Sequence, residues 1–345
     1  IQTSVPCQCL VIMQNKIVID PRDFPNPKHL YRYIKQLTNC HVVIAQPQEF
    51  APVSEHIWKH QGFRRAIEQL LKNNNVTVEY WLGNFEEEVY PNLVDAGIDV
   101  KCWPMYWAYR TKELLVFDSF KPDMHKDKLF VSLNNRAHSH RCMLIDKIYQ
   151  KGLQNHSLLS WIDPDGRSRD FDFQYFNGAQ LCLDEPINPD DRKPYHQYIP
   201  PVNYHSALFA LISESSVFYK DISEKTFTAI FYKQPFLIQG APGIHQVLKD
   251  HGFELYTECF DYEFDSVDDL DHRTNMILDQ LSQYVRIDYN KMYADLKDKI
   301  EHNHQHLNNI ATSAEYVPKE LSQHMPEISV VFPDYIARNP SKYGL

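Results

Sequence analysis

Glycine is scarce in this sequence, with only 10 residues among 345. The glycine patterns G-x-G-x-x-G, G-x-x-x-x-G-K-[ST] and G-x-S-x-G are all missing. They are typical of dinucleotide-binding dehydrogenases, P-loop NTPases and α/β-hydrolases, respectively. These three enzyme classes therefore find no support in the sequence.

Long apolar runs are also missing, since no stretch reaches the 18 or more residues of a membrane-spanning helix. The short apolar run from Cys7 to Met13 is followed by Ile17 to Ile19, and we interpret it as a core strand rather than a signal peptide. Since the sequence does not begin with methionine, it leaves room for an upstream segment. We expect a soluble protein with no transmembrane segment.

The seven cysteines are odd in number, widely spaced, and include no C-x-x-C pair. A zinc ribbon or a thioredoxin-like site is therefore disfavoured. Buried free thiols are the simpler interpretation, and they are typical of the cytoplasm or another reducing compartment.

The charge balance is acidic, with a formal net charge of -10 and a pI of about 5.9. Proteins that grip the nucleic-acid backbone are usually basic, so the composition disfavours nucleic acid as a partner. Hydrophobic residues make up 43% of the chain, which is ordinary for a folded protein.

The length predicts about two domains at roughly 150 residues each. Strand and helix patterns alternate in both halves, which favours parallel sheets covered by helices. The polar segment from 117 to 128 separates the halves. We predict an α/β fold with two Rossmann-like domains facing across a cleft. Their bounds are 1–120 for an acceptor-binding domain and 128–310 for a nucleotide-sugar-binding domain, and the tail 311–345 packs back on the body.

The segment 212–226 has the pattern of a strand, a loop and a helix start, with Ser223 suited to the N-cap. Free N–H groups and the helix dipole attract anions at such a position. Lys225 is disfavoured there by the dipole, and a bound phosphate would explain its presence. Glu214 and Glu224 can accept hydrogen bonds from ribose hydroxyls.

This segment resembles the donor-binding motif of the α1,3-fucosyltransferases. Glu214-Ser215-Ser216 is followed after six residues by Ser223-Glu224-Lys225, a helix, and a strand that ends at Gly240. The resemblance implies the two-domain GT-B architecture and transfer of a sugar from a nucleotide-linked donor. It also implies that Glu224 and Lys225 contact ribose and phosphate, with Glu214 and Ser223 completing this part of the donor site.

A second resemblance to the same family lies in the segment 132–141, a strand and a loop that carries arginines. In that family an arginine in this position reaches the donor diphosphate. The resemblance therefore implies that Arg141, supported by Arg136, neutralises diphosphate charge.

The sequence also departs from the family pattern. Ser215 replaces an asparagine, residues 231–235 replace a run of small residues, and the N-terminal half shows no matching motif. The resemblance consequently favours transfer of a hexosyl, pentosyl or fucosyl group in general over fucose in particular. It implies a GDP- or UDP-linked donor, a glycan or glycoconjugate acceptor, and neither a cofactor nor Mg²⁺ or Mn²⁺.

The catalytic base is not fixed by any motif, and the candidates are Glu86, Glu87 and His138. Four alternatives remain open. The Ser223 helix is an ordinary capped helix, the chain is a binding module without turnover, or it is a phage-type transferase acting on DNA bases. In the fourth, a D-x-D pair at Asp163/Asp165 or Asp170/Asp172 holds a divalent metal.

Overall fold

The computed structural model describes residues 12–13, 16–19, 32–33, 35–46, 68–69, 71–72, 75–82, 97–102, 111, 114, 125–163, 166–183, 203–220 and 222–312. The chain divides into two compact units. The first unit comprises Ile1–Tyr109 and Ser313–Leu345, and the second unit comprises Arg110–Thr312. Among the described residues, each unit contains one sheet.

The sheet of the first unit has its strands in sequence order. They are β1 (Ile12–Met13), β2 (Lys16–Ile19), β3 (His41–Gln46), β4 (Thr77–Leu82) and β5 (Asp99–Cys102). β1 pairs with β2 antiparallel, and the remaining pairs are parallel. The apolar residues Val42, Val43 and Ile44 of β3 are buried, which fits a strand covered on both faces.

The sheet of the second unit is parallel throughout, and its strand order differs from the sequence order. The strands are β6 (Lys128–Asn134), β7 (Ser157–Trp161), β8 (Ala207–Ser213) and β9 (Phe236–Gln239), arranged β7-β6-β8-β9. Every residue of β8 is buried. This fits its continuous apolar sequence, which is typical of a central parallel strand.

Six helices of the described part belong to this second unit. They are α1 (Ser139–Gln150), α2 (Glu224–Phe231), α3 (Ile244–Asp250), α4 (Leu270–Ser282), α5 (Tyr289–Asp295) and α6 (Lys297–Thr312). α1 packs against α4, and α2 packs against α6. No helix among the described residues is both long and apolar enough to span a bilayer.

The order of these strands creates a reversal point. The chain moves from β6 to β7 in one direction across the sheet and from β8 to β9 in the other. Because crossovers between parallel strands are right-handed, α1 and α2 lie on opposite faces. This strand order predicts that the loops after β6 and β8 diverge and leave a crevice at the carboxyl edge, where ligands of such sheets bind.

The α/β class predicted from the sequence is confirmed by these two largely parallel sheets. The hydropathy pattern of the sequence predicts a helix from Cys142 to Tyr149 and a long helix over 287–310. Both predictions are wrong in their bounds, since α1 begins at Ser139 and the second segment is two helices separated at Leu296. The strand β7 was not predicted. At Leu296 the ψ angle is 0°, which ends α5 before α6 begins. The domain bounds and the cleft stay predictions, and the tail from residue 313 lies outside the described residues.

Candidate functional site

The crevice at the carboxyl edge of the second sheet brings together the two segments singled out in the sequence. After β6 the chain forms a short loop and enters α1 at Ser139, and after β8 it forms a longer loop and enters α2 at Glu224. β6 and β8 are direct neighbours in the sheet. The starts of α1 and α2 are therefore held at the same edge.

Glu214 organises the start of α2. Its side chain is fully buried, with an exposed fraction of 0%. Oε1 accepts hydrogen bonds from the backbone N of Ser223 at 3.1 Å and from Oγ1 of Thr226 at 2.6 Å, and Oε2 accepts one from Oγ of Ser223. The carboxylate thus fastens the first turn of α2 to the end of β8.

Ser223 is the N-cap of α2, as the sequence predicted. Its Oγ accepts from the backbone N of Lys225 at 3.4 Å and from Nζ of Lys225 at 2.9 Å. The same Nζ lies 3.2 Å from Oγ of Ser215 and 3.3 Å from Oε1 of Glu224. The ammonium group is therefore folded back over the helix start, where the positive end of the helix dipole already lies.

Arg141 reaches the same place from the opposite helix. Only 3% of the residue is exposed. Its Nη1 donates to the carbonyl of Arg136 at 3.3 Å, and Nη2 donates to the carbonyls of Ser213 at 3.3 Å and Glu214 at 3.2 Å. These carbonyls fix the orientation of the guanidinium, and the charge of Arg141 is one of those that lower the pKa of His138.

Two histidines lie beside these cations with their rings stacked. The ring centroids of His138 and His140 are 5.6 Å apart and the planes differ by 4°. Nε2 of His140 lies 3.0 Å from the carbonyl of Glu214, so this nitrogen carries the proton. Burial lowers the pKa of His140 to about 4, and the charge of Arg141 adds to the effect.

Several cationic side chains lie near His138. Burial lowers its pKa to about 4, and the charges of Arg141, Arg167, Arg136 and Lys225 lower it further. Both histidines are consequently neutral near pH 7. A neutral His138 with so low a pKa is a weak base, which suits hydrogen bonding to a ligand better than proton abstraction.

Arg167 is a residue of this cluster that the sequence reasoning missed. It begins a short 3₁₀ turn, Arg167–Asp170, that follows β7. Asp163 fixes this turn by accepting hydrogen bonds from the backbone N atoms of Arg167 at 2.8 Å and Ser168 at 2.9 Å. Recognising β7 in the sequence would have placed its following loop at the same edge.

The proposed D-x-D metal pairs gain no support from these contacts. Asp163 holds the backbone of its own turn, and Oδ2 of Asp172 accepts from Nε2 of Gln174 at 2.8 Å. No cluster of three metal-ligating side chains occurs among the residues that the structure describes. Asp165 and the candidate bases Glu86 and Glu87 lie outside the described residues.

Gln239 ties the edge of the sheet together. Its Oε1 accepts from Oγ of Ser213 at 2.7 Å, and its Nε2 donates to the carbonyl of His140 at 3.3 Å and to Oγ1 of Thr274 at 3.0 Å. One buried side chain thus links the ends of β8 and β9 to α1 and α4. The groups that surround the crevice are positioned by this shared framework rather than by independent loops.

Comparisons with known proteins yielded one match. No protein-family model matches the chain, and no curated protein matches it. A similar solved structure is that of the DNA-modifying enzyme beta-glucosyltransferase, determined in the presence and absence of its substrate uridine diphosphoglucose. The two chains are 11% identical, with a TM-score of 0.47 over 91% of this chain and 81% of that chain.

Proposed function

We propose that the second unit binds the diphosphate of a nucleotide sugar in the crevice between β6 and β8. The chain then transfers the sugar to a hydroxyl of a glycan or glycoconjugate acceptor. The observation that carries this proposal is the meeting of Arg141, Lys225 and the start of α2 at one reversal point of the sheet. Crevices of this kind bind ligands in parallel α/β sheets.

A diphosphate suits this group of donors because it carries several negative charges on adjacent oxygens. The helix start supplies N–H groups and a positive potential, and the two side chains supply full positive charges. When the bond between sugar and diphosphate breaks, negative charge grows on the leaving oxygen. Cations already held in place stabilise that charge at little reorganisation cost.

We assign two roles to the predicted donor residues. The side-chain oxygens of Glu214 and Ser223 bond each other and the start of α2, so in this proposal they position the helix rather than touch the donor. Glu224 is partly exposed beside Lys225 and is the carboxylate that we assign to the ribose hydroxyls. Arg136 and Arg167 are exposed at the rim of the crevice, where they would attract the anion.

The remaining parts of the proposal follow from the resemblance and the charge. The reaction requires no metal because cationic side chains take its place, and the fold is of the GT-B type. The donor is GDP- or UDP-linked, and Glu86 and Glu87 remain candidates for the base that accepts the proton of the acceptor hydroxyl. The transferred sugar is a hexosyl, pentosyl or fucosyl group.

Thermal unfolding with a panel of nucleotides and nucleotide sugars tests the donor site directly. A ligand at about 100 times its Kd stabilises the folded state by about 2.7 kcal/mol, which gives a measurable shift in Tm. We expect a shift with UDP or GDP that persists in the presence of a chelator and disappears in Lys225→Met. Lys249→Met, an exposed lysine near the end of α3, is the matched control and should keep the shift.

Turnover separates the enzyme from a binding module. Release of UDP or GDP from the stabilising nucleotide sugar, increased by a hydroxyl-bearing glycan, supports glycosyl transfer. Binding without any release over long incubation supports a module that only binds. A Tm unaffected by every nucleotide in the panel removes the donor site, and α2 is then an ordinary capped helix.

A further inference from the structure

The loop between β8 and α2 is anchored at several points along its length. Val217 and Ile222 are buried. Oγ of Ser215 lies 3.2 Å from Nζ of Lys225, and Oγ of Ser216 accepts from the backbone N atoms of Phe218 at 3.1 Å and Tyr219 at 3.2 Å. The loop therefore presents its tip in a defined direction.

Two aromatic side chains occupy that tip. Phe218 is 83% exposed and Tyr219 is 37% exposed. In the described part of the chain, the large hydrophobic side chains found exposed are these two and Tyr175. An anchored loop that turns a phenyl ring into solvent is available to stack on a flat ligand.

The distance from this tip to the cations is short. Phe218 follows Ser215 by three residues, so their Cα atoms lie no more than about 11 Å apart. Ser215 in turn contacts the ammonium of Lys225. A nucleotide has an anionic end and a flat aromatic end joined by one ribose, and the crevice has cations and an exposed aromatic ring within a similar reach.

We propose that Phe218, with Tyr219 beside it, forms a stacking platform for the nucleobase of the donor. This inference rests on the proposed function and adds the part of the site that binds the base. The neighbours of the ring favour a nucleotide over an apolar partner surface, because Ser215 and Ser216 precede it and Lys220 follows. Cations interleaved with aromatic rings are the combination that binds nucleotides.

Stacking has a specific consequence for selectivity. Every base has an aromatic face, so a stacking residue contributes affinity that depends little on which base is bound. Phe218 should therefore distinguish UDP and GDP from inorganic diphosphate, which has no base. It should not by itself distinguish UDP from GDP.

The test measures the affinities of UDP, GDP and inorganic diphosphate by calorimetric titration of the full chain. In Phe218→Ala we expect at least a tenfold loss of affinity for the nucleoside diphosphate that binds the wild type, and an unchanged affinity for inorganic diphosphate. Phe218→Trp should restore the affinity. Tyr175→Ala is the control, because this side chain is also exposed and its hydroxyl accepts a hydrogen bond from Gln150 at the far end of α1.

The other outcomes overturn the inference in distinguishable ways. Equal binding of UDP or GDP by wild type and Phe218→Ala removes the platform and leaves the proposed function intact. An equal loss for inorganic diphosphate shows that Phe218 only shapes the loop. A change confined to the KM of the acceptor assigns the ring to the acceptor instead. If the wild type binds neither UDP nor GDP, this inference falls together with the proposed function.

Discussion

The two sheets of this protein are both largely parallel, and they differ in strand order and in how they hold charge. In the first sheet the strands follow the sequence order, and in the second the order reverses between β6 and β8. A reversal sends successive helices to opposite faces and opens a crevice, whereas sequential strands with right-handed crossovers do not. Strand order alone therefore distinguishes the sheet that offers a ligand site.

The two sheets also differ in the groups that contact their charged side chains. In the first sheet, the buried carboxylate of Glu79 on β4 is paired with Lys101 on β5 and with His41 on β3, whose Nε2 lies 3.0 Å away. In the second sheet, backbone carbonyls orient the guanidinium of Arg141. These contacts thus differ in kind, with a carboxylate at the centre of the first set and backbone carbonyls of the β8 end in the second.

The largest effect is expected on the stability of the second unit, when the carboxylate that holds the start of α2 is removed. Glu214→Ala leaves the buried donors of Ser223 and Thr226 without their acceptor. We expect a loss of about 3 kcal/mol in the free energy of unfolding, measured by urea denaturation. Glu224→Ala, which changes a partly exposed carboxylate at the same helix start, should cost less than about 1 kcal/mol. Equal losses would contradict the organising role of Glu214.

The next effect concerns binding and contrasts one cation from each sheet. Arg141→Met should weaken the affinity for inorganic diphosphate by about a hundredfold, since a charge-assisted contact of roughly 2 to 3 kcal/mol is lost. Lys101→Met in the first sheet removes a cation that is paired with Glu79, and it should leave diphosphate affinity unchanged. Titration calorimetry on both variants checks this, with their urea midpoints recorded to exclude unfolding. Similar losses in both would remove the distinction between the sheets.

A smaller effect appears in the pH dependence of stability. Burial, reinforced by Arg141, lowers the folded pKa of His140 to about 4 from an ordinary value of 6.5. Between these values the unfolded chain binds more protons than the folded chain. The stability contributed by neutral His140 is therefore complete above pH 6.5 and is lost as the pH falls toward 4. We expect about 1 to 2 kcal/mol less stability at pH 5 than at pH 7 from this residue.

A comparison with His205 sharpens this prediction. Its pKa is also lowered to about 4, by burial and then by Lys126, but it lies in the 3₁₀ turn Tyr204–Ser206 before β8, at the opposite end of the strand from Ser213. Both His140→Gln and His205→Gln should flatten the pH profile of stability. Inorganic diphosphate should flatten only the part due to His140, because an anion nearby raises the pKa of that residue. An equal response of both variants to diphosphate would place the anion elsewhere.

The smallest expected effect concerns Glu224. If its carboxylate accepts hydrogen bonds from ribose hydroxyls, Glu224→Gln should weaken UDP or GDP binding by a few-fold, since an amide oxygen still accepts but without charge. The affinity for inorganic diphosphate should stay the same or rise slightly. A deoxyribonucleoside diphosphate should respond less to the substitution than its ribonucleoside counterpart. Loss of inorganic diphosphate binding would instead assign Glu224 to holding Lys225.

The sequence predicted those features that depend on neighbouring residues. The strands that begin the segments 132–141 and 212–226 and the N-cap at Ser223 are local patterns, and the structure confirms them as β6, β8 and the start of α2. β7 was missed because Ser157–Trp161 carries no local strand signal of its own. These five residues become a strand by pairing with β6, which is distant in sequence. Arg167 was missed as a consequence.

The burial of Glu214 could not be predicted from its own segment either. Whether a carboxylate near a helix start faces a ligand or the helix depends on how the preceding strand is covered. Here β8 is buried along its full length, and the chain turns back so that Ser223 and Thr226 enclose the carboxylate. Likewise, the cations that act on His138 come from the segments that follow three different strands, β6, β7 and β8, and the strand order brings these segments together.

The proposed donor site is tested most directly by locating where inorganic diphosphate binds. Amide chemical shifts of the isotope-labelled full chain, followed during titration with inorganic diphosphate, identify the groups that meet the anion. We predict the largest changes at the starts of α1 and α2, around Ser139 to Arg141 and Ser223 to Thr226, and much weaker changes in Lys225→Met. Changes centred on the ends of β3 to β5 in the first sheet, or none at saturating diphosphate, would contradict this prediction.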